Sequence, residues 1–379
     1  MHEEMNSIKV PPSNDDAFVY VPRGLNQQYL GAIMSRALAQ EVSVSQCSAI
    51  NLCAGNFGAV SNSGATVLRL SLKLSNGDTQ DVVAKILSPA ELNLFKIDHR
   101  FDARAAEIQW ASWWGRQGVP FVPKVYDTRA NRVAREFWVI QEYFPQVGWP
   151  DVPVSGLKAF VTSTERLAVL FRHAADLHAY STRHIEELKA LFPDNCSPAT
   201  IADSLDALGS DSSLCKIIGL TEAERGRLKA LAEAFRRRPR WVDDWNYVCV
   251  TNDLAPDNFA LRSFHGKTEC VTFDWGTTCL APMEQDVELL LWRIREMDPK
   301  EREHLLQVYL GAYADQAGCR IDREAFIARL PWARLLHHLR LIAGNAVSLR
   351  WIPHQTRSRE AIRHFIAYCG ELLESCDRA

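Results

Sequence analysis

The 379-residue sequence has neither a long apolar run nor a clustered set of metal-binding side chains. No apolar segment approaches the roughly 18 to 20 residues that a membrane-spanning helix needs. The ten cysteines are scattered, with no Cys-x-x-Cys pair and no histidine cluster, which argues against a zinc site or a disulfide framework. The acidic N-terminus lacks the basic and apolar regions of a secretory signal. We therefore expect buried free thiols in a cytoplasmic protein without a membrane anchor.

A strong charge of either sign is also missing. There are 43 basic and 46 acidic residues, so the formal net charge is −3. This balance gives no electrostatic basis for nucleic-acid binding. The length is well above that of a single domain of about 150 residues, and with 47% hydrophobic residues the chain can bury a large core. We expect two lobes and neither a nucleic acid nor a membrane as partner.

The first part of the chain alternates short strand patterns with two helical patterns. Apolar residues recur at helical spacing over about 25–40 and again over 102–117. Strands are predicted at 48–54, 66–74, 81–87, 122–128 and 137–143, and Asn76-Gly77 is a typical hairpin turn. These elements predict a curled antiparallel sheet with one main helix against it.

After Phe144 the pattern is mostly helical. Thr162-Ser-Thr-Glu165 and Thr221-Glu-Ala-Glu224 both fit the capping box that starts a helix. Strands and turns interrupt the pattern at 246–275, and helices resume at 284–296, 299–317, 322–350 with a break near Pro331, and 357–376. The predicted fold class is α+β, with an N-terminal sheet lobe over 1–144 and a larger helical lobe over 145–379.

Three polar residues follow the strands of this interruption. Asp253 and Asn258 are five residues apart on a loop bent by Pro256, and Asp274 ends the next apolar strand. A hairpin of this length can bring all three to one opening. One carboxylate can deprotonate a hydroxyl, while an amide oxygen and a second carboxylate suit Mg²⁺. The alternative for each residue alone is a role as a turn former.

The N-terminal strands contain the groups that a nucleotide needs. Gly55 and Gly58 link two strands, so their backbone amides can approach phosphates closely, although two glycines can equally form a plain turn. Lys85 is a single basic residue in an apolar strand, where burial is costly without an anionic partner. Glu107 in the following helix is the candidate partner. A lysine whose ammonium extends to the strand edge is the alternative interpretation.

In chain order, these motifs resemble the small-molecule branch of the protein-kinase-like fold, the aminoglycoside phosphotransferase and choline kinase superfamily. The resemblance extends over about 45–300. It rests on Gly55-x-x-Gly58, Ala84-Lys85, Glu107, Gln141-Glu142-Tyr143-Phe144, Asn252-Asp253-x4-Asn258 and Phe273-Asp274-Trp275. Leu177-His178 is similar to the Leu-His that precedes the family's catalytic loop, and Asp286 resembles the aspartate that braces it.

The resemblance implies a role for each matching residue. Asp253 would be the catalytic base, with Asn258 and Asp274 as the Mg²⁺ ligands. Lys85, held by Glu107, would bind the α and β phosphates of ATP. The remaining nucleotide contacts would come from backbone groups at the adenine edge and over the phosphates: Glu142, Phe144, Gly55, Asn56, Phe57 and Gly58.

These roles predict an ATP- and Mg²⁺-dependent O-phosphotransferase that acts on a hydroxyl of a small molecule by direct in-line transfer. The sequence departs from the family at Thr251, Ala255 and Asp257, where His, His or Lys, and Gly are common. These departures leave open a catalytically weak, nucleotide-binding pseudokinase that acts through protein partners. A protein kinase is less favoured, because no Ala-Pro-Glu segment or long activation loop follows Asp274.

The acceptor is left open among antibiotics, sugars, nucleosides and amino alcohols, and so is the oligomeric state. The C-terminal region carries mostly positive charges among aromatic residues, at Trp332, Arg334, His337, His338, Arg340, Arg350, Trp351, His354 and Arg357. These residues can simply form a solvated helix face with core tryptophans; if instead they contact the acceptor, the acceptor is expected to be neutral or anionic. Carboxylates that keep a cationic acceptor possible are Asp151, Asp194, Asp203, Asp206, Asp243 and Asp244.

Overall fold

A computed structural model describes residues 8, 21–52, 65–87, 98–131, 133–134, 136–149, 163–192, 198–240, 244–264, 266–351 and 356–376. The chain divides into two compact units. The first contains Met1–Val147 and Val271–Gly276, and the second contains Gly148–Cys270 and Thr277–Ala379. The short segment 271–276 thus returns to the first unit. The predicted phosphate loop, Gly55 to Gly58, lies outside the described residues.

The first unit is built on an antiparallel sheet of five strands in the order β1-β2-β3-β5-β4. The strands are β1 Val44–Asn51, β2 Ala65–Leu74, β3 Thr79–Leu87, β4 Val125–Asn131 and β5 Glu136–Glu142. Helices α1, Gln27–Leu38, and α2, Asp98–Gln117, belong to the same unit. The sheet forms because β2 and β3 alternate buried and less buried side chains, and the turn between them places Gly77 at a positive φ of 89°.

The second unit is mostly helical. Its helices are α3 Thr164–Arg183, α4 Ile185–Leu191, α5 Pro198–Ser210, α6 Ser212–Ile218, α7 Glu222–Arg236, α8 Glu284–Arg293, α9 Pro299–Ala317, α10 Arg323–Trp351 and α11 Thr356–Cys376. Strand β6, Tyr247–Val250, pairs with β9, Cys279–Pro282, while β7, Phe259–Phe264, pairs with β8, Lys267–Thr272. The expected α+β class is confirmed.

Each unit has its own hydrophobic core. In the first, the apolar sides of β2 and β3 pack with α1 around Leu68, Leu70 and Ile33. In the second, one cluster joins α3, α8 and α9, and another joins α5, α7, α10 and α11. The first of these two clusters includes Leu254, in the polar loop after β6, so that loop is anchored to the core.

Some predicted details differ from the structure. Helix α3 is capped by Ser163, whose hydroxyl accepts from the backbone N–H of Arg166 at 3.2 Å, so the predicted box with Thr162 as cap is wrong. The predicted break near Pro331 is also wrong, since α10 continues through it. Leu330, Trp332 and Ala333 beside it are buried, and their packing outweighs the hydrogen bond that proline removes. Strand β1 begins at Val44, four residues earlier than predicted.

Candidate active site

Lys85 lies on the central strand β3, with Val67 of β2 on one side and Val139 of β5 on the other. Its side chain is 14% exposed, and its ammonium group donates to a carboxylate oxygen of Glu107. Glu107 is 5% exposed on α2, beside the buried Ile108 and Trp110. The ion pair that the sequence indicated is therefore present and well shielded from water. A buried ammonium and carboxylate are tolerated together because each compensates the other.

Asp274 contacts the same ammonium group. Its Oδ1 lies 2.8 Å from Nζ of Lys85 and also accepts from the backbone N–H of Gly276 at 3.2 Å. The backbone of Asp274 is left-handed, with φ of 71°, a conformation that Asp and Asn adopt more readily than most residues. The positive φ directs the chain sharply at the end of β8 and presents the carboxylate to Lys85.

Aromatic stacking fixes the position of Asp274 within the first unit. Trp275 stacks on Trp114 of α2 with ring centroids 5.7 Å apart, and Phe273 stacks on Phe144 at 6.0 Å. Both flanking residues are thus held by side chains of the first unit. This packing explains why 271–276 belongs to that unit although the neighbouring chain on both sides does not.

The three charged groups together carry a formal charge of −1, since one ammonium faces two carboxylates. Glu107 is shielded from water, whereas Asp274 is 38% exposed. A cation that approaches this cluster from solvent therefore meets Asp274 first. Carboxylate oxygens of this kind are the ligands that hard divalent cations take in proteins.

The two residues predicted at the adenine edge lie at the end of β5 and just beyond it. The backbone N–H of Glu142 already donates to the carbonyl oxygen of Lys124 at 2.8 Å. A contact of Glu142 with a nucleotide would therefore involve its carbonyl oxygen. Phe144 follows two residues later and is the residue that stacks on Phe273.

In the second unit, Asp253 lies in the loop after β6 with 42% of its side chain exposed. Asn258 closes this loop, because its Nδ2 donates to the carbonyl oxygen of Asp253 at 3.0 Å. The orientation of this amide leaves the side-chain oxygen of Asn258 as the atom that can bind a cation. The backbone N–H of Ala255 donates to the same carbonyl at 2.8 Å, so the loop is a compact turn.

Asp286, in the first turn of α8, holds the beginning of the loop. Its Oδ2 accepts from the backbone N–H and the hydroxyl of Thr251, at 2.8 and 3.1 Å, and its Oδ1 accepts from the N–H of Asn252 at 2.7 Å. Asp286 is 1% exposed, and its carboxylate also faces Nε2 of His178. Although Thr251 stands where the family usually has histidine, its hydroxyl supplies a bond to the bracing carboxylate.

Sequence reasoning did not find two side chains that support the loop. Gln285 donates from Nε2 to the side-chain oxygen of Asn252, which is held in a left-handed conformation at φ of 62°. Arg293, at the end of α8, donates to Oδ1 of Asp253 at 3.1 Å and to the carbonyl oxygen of Leu254 at 2.7 Å. The sequence carries one signal for Arg293, because it lies seven residues after Asp286 and hence on the same helix face.

Part of the positive charge expected near the C-terminus is compensated, while the side chains of Arg350, His354 and Arg357 lie outside the described residues. Arg334 pairs with the buried Glu288, and burial lowers the pKa of His337 and of His338, so both imidazoles are neutral near pH 7. Trp332 is a core residue. On the acidic side, Asp203 and Asp206 both pair with Arg236. These side chains therefore give little reason to favour an anionic over a cationic acceptor.

Comparison with known proteins places the chain among phosphate-transferring enzymes. A family model described as the phosphotransferase enzyme family, APH, matches residues 70–320, which is more than half of the chain. The chain belongs to this family. The expectation of a small-molecule phosphotransferase is thereby confirmed at the level of the family. The comparison with curated proteins finds no match.

Solved structures show the same fold for this phosphotransferase. A Plasmodium vivax ethanolamine kinase has 12% identity and a TM-score of 0.56, covering 84% of this chain and 82% of the other. The structure titled as the GDP and kanamycin complex of APH(2")-IIia has 14% identity and a TM-score of 0.50, covering 92% and 99%. At such identities the likeness establishes the protein-kinase-like fold alone, and this fold is the expected one.

The described part of the chain has neither a cluster of metal-binding side chains nor a membrane-spanning helix. No three His, Cys, Asp or Glu side chains there lie close enough to hold a metal ion by themselves. None of the helices described combines the length and apolarity needed to cross a membrane. The eight described cysteines form no disulfide with one another, and five of them are buried as expected, whereas Cys319 is exposed.

Proposed function

We propose that this phosphotransferase moves the terminal phosphoryl group of ATP to a hydroxyl of a small molecule, with Mg²⁺ and by direct in-line transfer. The observation that carries the proposal is the contact of Lys85 with both Glu107 and Asp274. A buried lysine fixed by one carboxylate, next to a second and more exposed carboxylate, suits the binding of a metal-bound polyphosphate. A purely structural ion pair would need only Lys85 and Glu107, without the more exposed carboxylate of Asp274.

The residues present fit Mg²⁺. This ion takes oxygen ligands and is usually bound by one or two protein side chains together with phosphates and water, so a three-residue metal cluster is not required. The carboxylate of Asp274 and the side-chain oxygen of Asn258 are the proposed ligands. When bound, the ion neutralises negative charge on the phosphates.

The protein groups then have separate tasks. Lys85 binds the α and β phosphates, and Glu107 keeps its ammonium group in place. Asp253 accepts the proton of the acceptor hydroxyl as the oxygen attacks phosphorus. The backbone at Glu142 and Phe144 contacts the adenine, and Gly55, Asn56, Phe57 and Gly58 cover the phosphates.

The acceptor is proposed to be an antibiotic, a sugar, a nucleoside or an amino alcohol. One of the two relatives above is named for ethanolamine and the other was solved with kanamycin, and both of these small molecules carry ammonium groups. Because Arg334 pairs with Glu288, and His337 and His338 are neutral near pH 7, these side chains give little reason to prefer an anionic over a cationic acceptor. Nothing in the comparisons or in the described residues supports the pseudokinase alternative. The cytoplasmic location stays a prediction.

Calorimetric titration tests the nucleotide site. ATP with Mg²⁺ is titrated into wild type, into Asp274→Ala, and into Asp315→Ala, which removes an exposed carboxylate from α9. We expect saturable binding to wild type and to Asp315→Ala, and strongly weakened metal-dependent binding to Asp274→Ala. GTP is titrated in parallel, because one relative was solved with GDP. If wild type binds neither nucleotide, the proposal is wrong.

Turnover tests the chemistry. ADP release is measured with ethanolamine, kanamycin, glucose and adenosine as acceptors, in wild type and in Asp253→Asn. Removing a general base costs about 10² to 10⁴-fold in rate, and we expect a loss of that size with nucleotide affinity retained. Equal turnover by Asp253→Asn would contradict the role of Asp253.

A further inference from the structure

Helix α8 contacts four consecutive residues of the loop after β6. Asp286, in its first turn, binds Thr251 and Asn252, as described above. Arg293, its last residue, donates to the side chain of Asp253 and to the backbone of Leu254. The helix thus holds both the entry to the loop and the residue proposed as base.

The spacing of the two helix residues makes this possible. Seven residues correspond to almost two full turns, so Asp286 and Arg293 project from the same face within about 20°. They are separated along the axis by about 10 Å. One rigid element can therefore fix two ends of one short segment.

We infer that Arg293 is a positioning residue for phosphotransfer, and that it fixes the carboxylate of Asp253 in the orientation needed to receive the acceptor's proton. The inference rests on the proposed function, because it presupposes that Asp253 is the base. Arg293 binds Oδ1 of Asp253, and the other carboxylate oxygen, Oδ2, is the atom that receives the proton.

The geometry supports a guanidinium in particular. Two different nitrogens of Arg293 are used: Nη2 donates to the carboxylate of Asp253, and Nη1 donates to the carbonyl oxygen of Leu254. A planar fork fixes the carboxylate relative to the backbone, which a single ammonium group cannot do. Arg293 is 16% exposed and Asp253 is 42% exposed, so the cation is shielded while the carboxylate remains accessible. Solvent therefore screens the electrostatic attraction between the two groups only in part.

The test compares Arg293→Ala and Arg293→Lys with Arg295→Ala. Arg295 is the matched control, because it lies two residues further on, carries the same charge, and contacts the carbonyl oxygen of Trp292 and the side chain of Glu296. Amide hydrogen exchange over 251–258, nucleotide affinity and kcat with the acceptor that wild type turns over are measured for each variant. Guanidinium chloride at a non-denaturing concentration is added to Arg293→Ala, with sodium chloride at equal ionic strength as control.

We expect faster exchange of the loop amides and a kcat lowered by about 10²-fold in Arg293→Ala, a typical cost of misplacing a catalytic group. Nucleotide affinity stays unchanged, guanidinium restores part of kcat, and Arg293→Lys retains only part of it. Arg295→Ala behaves as wild type.

Unchanged amide exchange of the loop in Arg293→Ala, or a kcat of Arg293→Ala equal to that of Arg295→Ala, would overturn the inference. The proposed function would still stand in that case, because wild type turns over. Absence of turnover in wild type would overturn both. A loss of kcat that guanidinium does not restore would show that Arg293 supports the fold and does not orient the base.

Discussion

The buried ion pair between Lys85 and Glu107 gives a prediction about stability. In Lys85→Met, Glu107 remains as an uncompensated carboxylate that is only 5% exposed, whereas Asp274 can be hydrated. Breaking a buried pair by removing one partner costs about 3 to 5 kcal/mol. In a unit of this size, each kcal/mol shifts the midpoint temperature by about 2 to 4 °C. We therefore expect Lys85→Met to melt roughly 10 °C lower than wild type.

The double variant Lys85→Met/Glu107→Leu separates the ion pair from general packing. Because both charges are removed, most of the lost stability should return, to within about 1 kcal/mol of wild type. Lys73→Met is the control, since Lys73 is an exposed lysine on β2 and should change the unfolding free energy by less than about 0.5 kcal/mol. Urea denaturation is measured without nucleotide, because bound ligand raises apparent stability. If the effects of Lys85→Met and Glu107→Leu simply add, the pair is not coupled and the reasoning is wrong.

Three further predictions concern other parts of the chain. Thr221→Ala removes the complete capping box of α7 and should lower the unfolding free energy by about 1 kcal/mol in urea, whereas Thr221→Ser should not. Burial, aided by the negative charge of Glu269, raises the pKa of Asp176 to about 6. The folded protein is therefore stabilised by the protonated carboxyl at low pH and loses this stability as the pH rises through about 6. The unfolding free energy of Asp176→Asn minus that of wild type should therefore increase from pH 3 to pH 8, by at most about 3 kcal/mol. A difference that does not change with pH would contradict this prediction. Gly148 has a φ of 64°, and a Cβ there would lie 2.8 Å from the carbonyl oxygen of Pro256. Gly148→Ala should therefore displace the loop and speed amide hydrogen exchange at 255–258. Unchanged exchange would contradict this prediction.

The sequence predicted the parts of the site that depend on local pattern. A lone lysine in an apolar strand, followed by a glutamate among apolar helix residues, indicated a buried pair, and the structure contains it. The hairpin at Asn76-Gly77 and the capping box at Thr221 likewise depend on a few neighbouring residues. The five strands of the first unit and most helices could be placed for the same reason, whereas β9 was not predicted.

Details that depend on tertiary packing were beyond the sequence. Nothing local to Pro331 shows that buried neighbours keep α10 continuous, and nothing near Asp274 shows that Trp275 stacks on Trp114. The contact between Arg293 and Asp253 joins residues 40 positions apart. It requires knowing where α8 ends and which face it turns to the loop.

Helix α8 is consequently more sensitive to changes of length than to changes of composition. A single residue inserted between Asp286 and Arg293 would rotate the arginine by about 100° and move it about 1.5 Å along the axis, away from the loop. Substitutions on the opposite face leave that register intact. Relatives whose loop is bound by an aspartate and an arginine of this helix should therefore preserve an Asp-x6-Arg spacing, even where the six intervening residues differ completely.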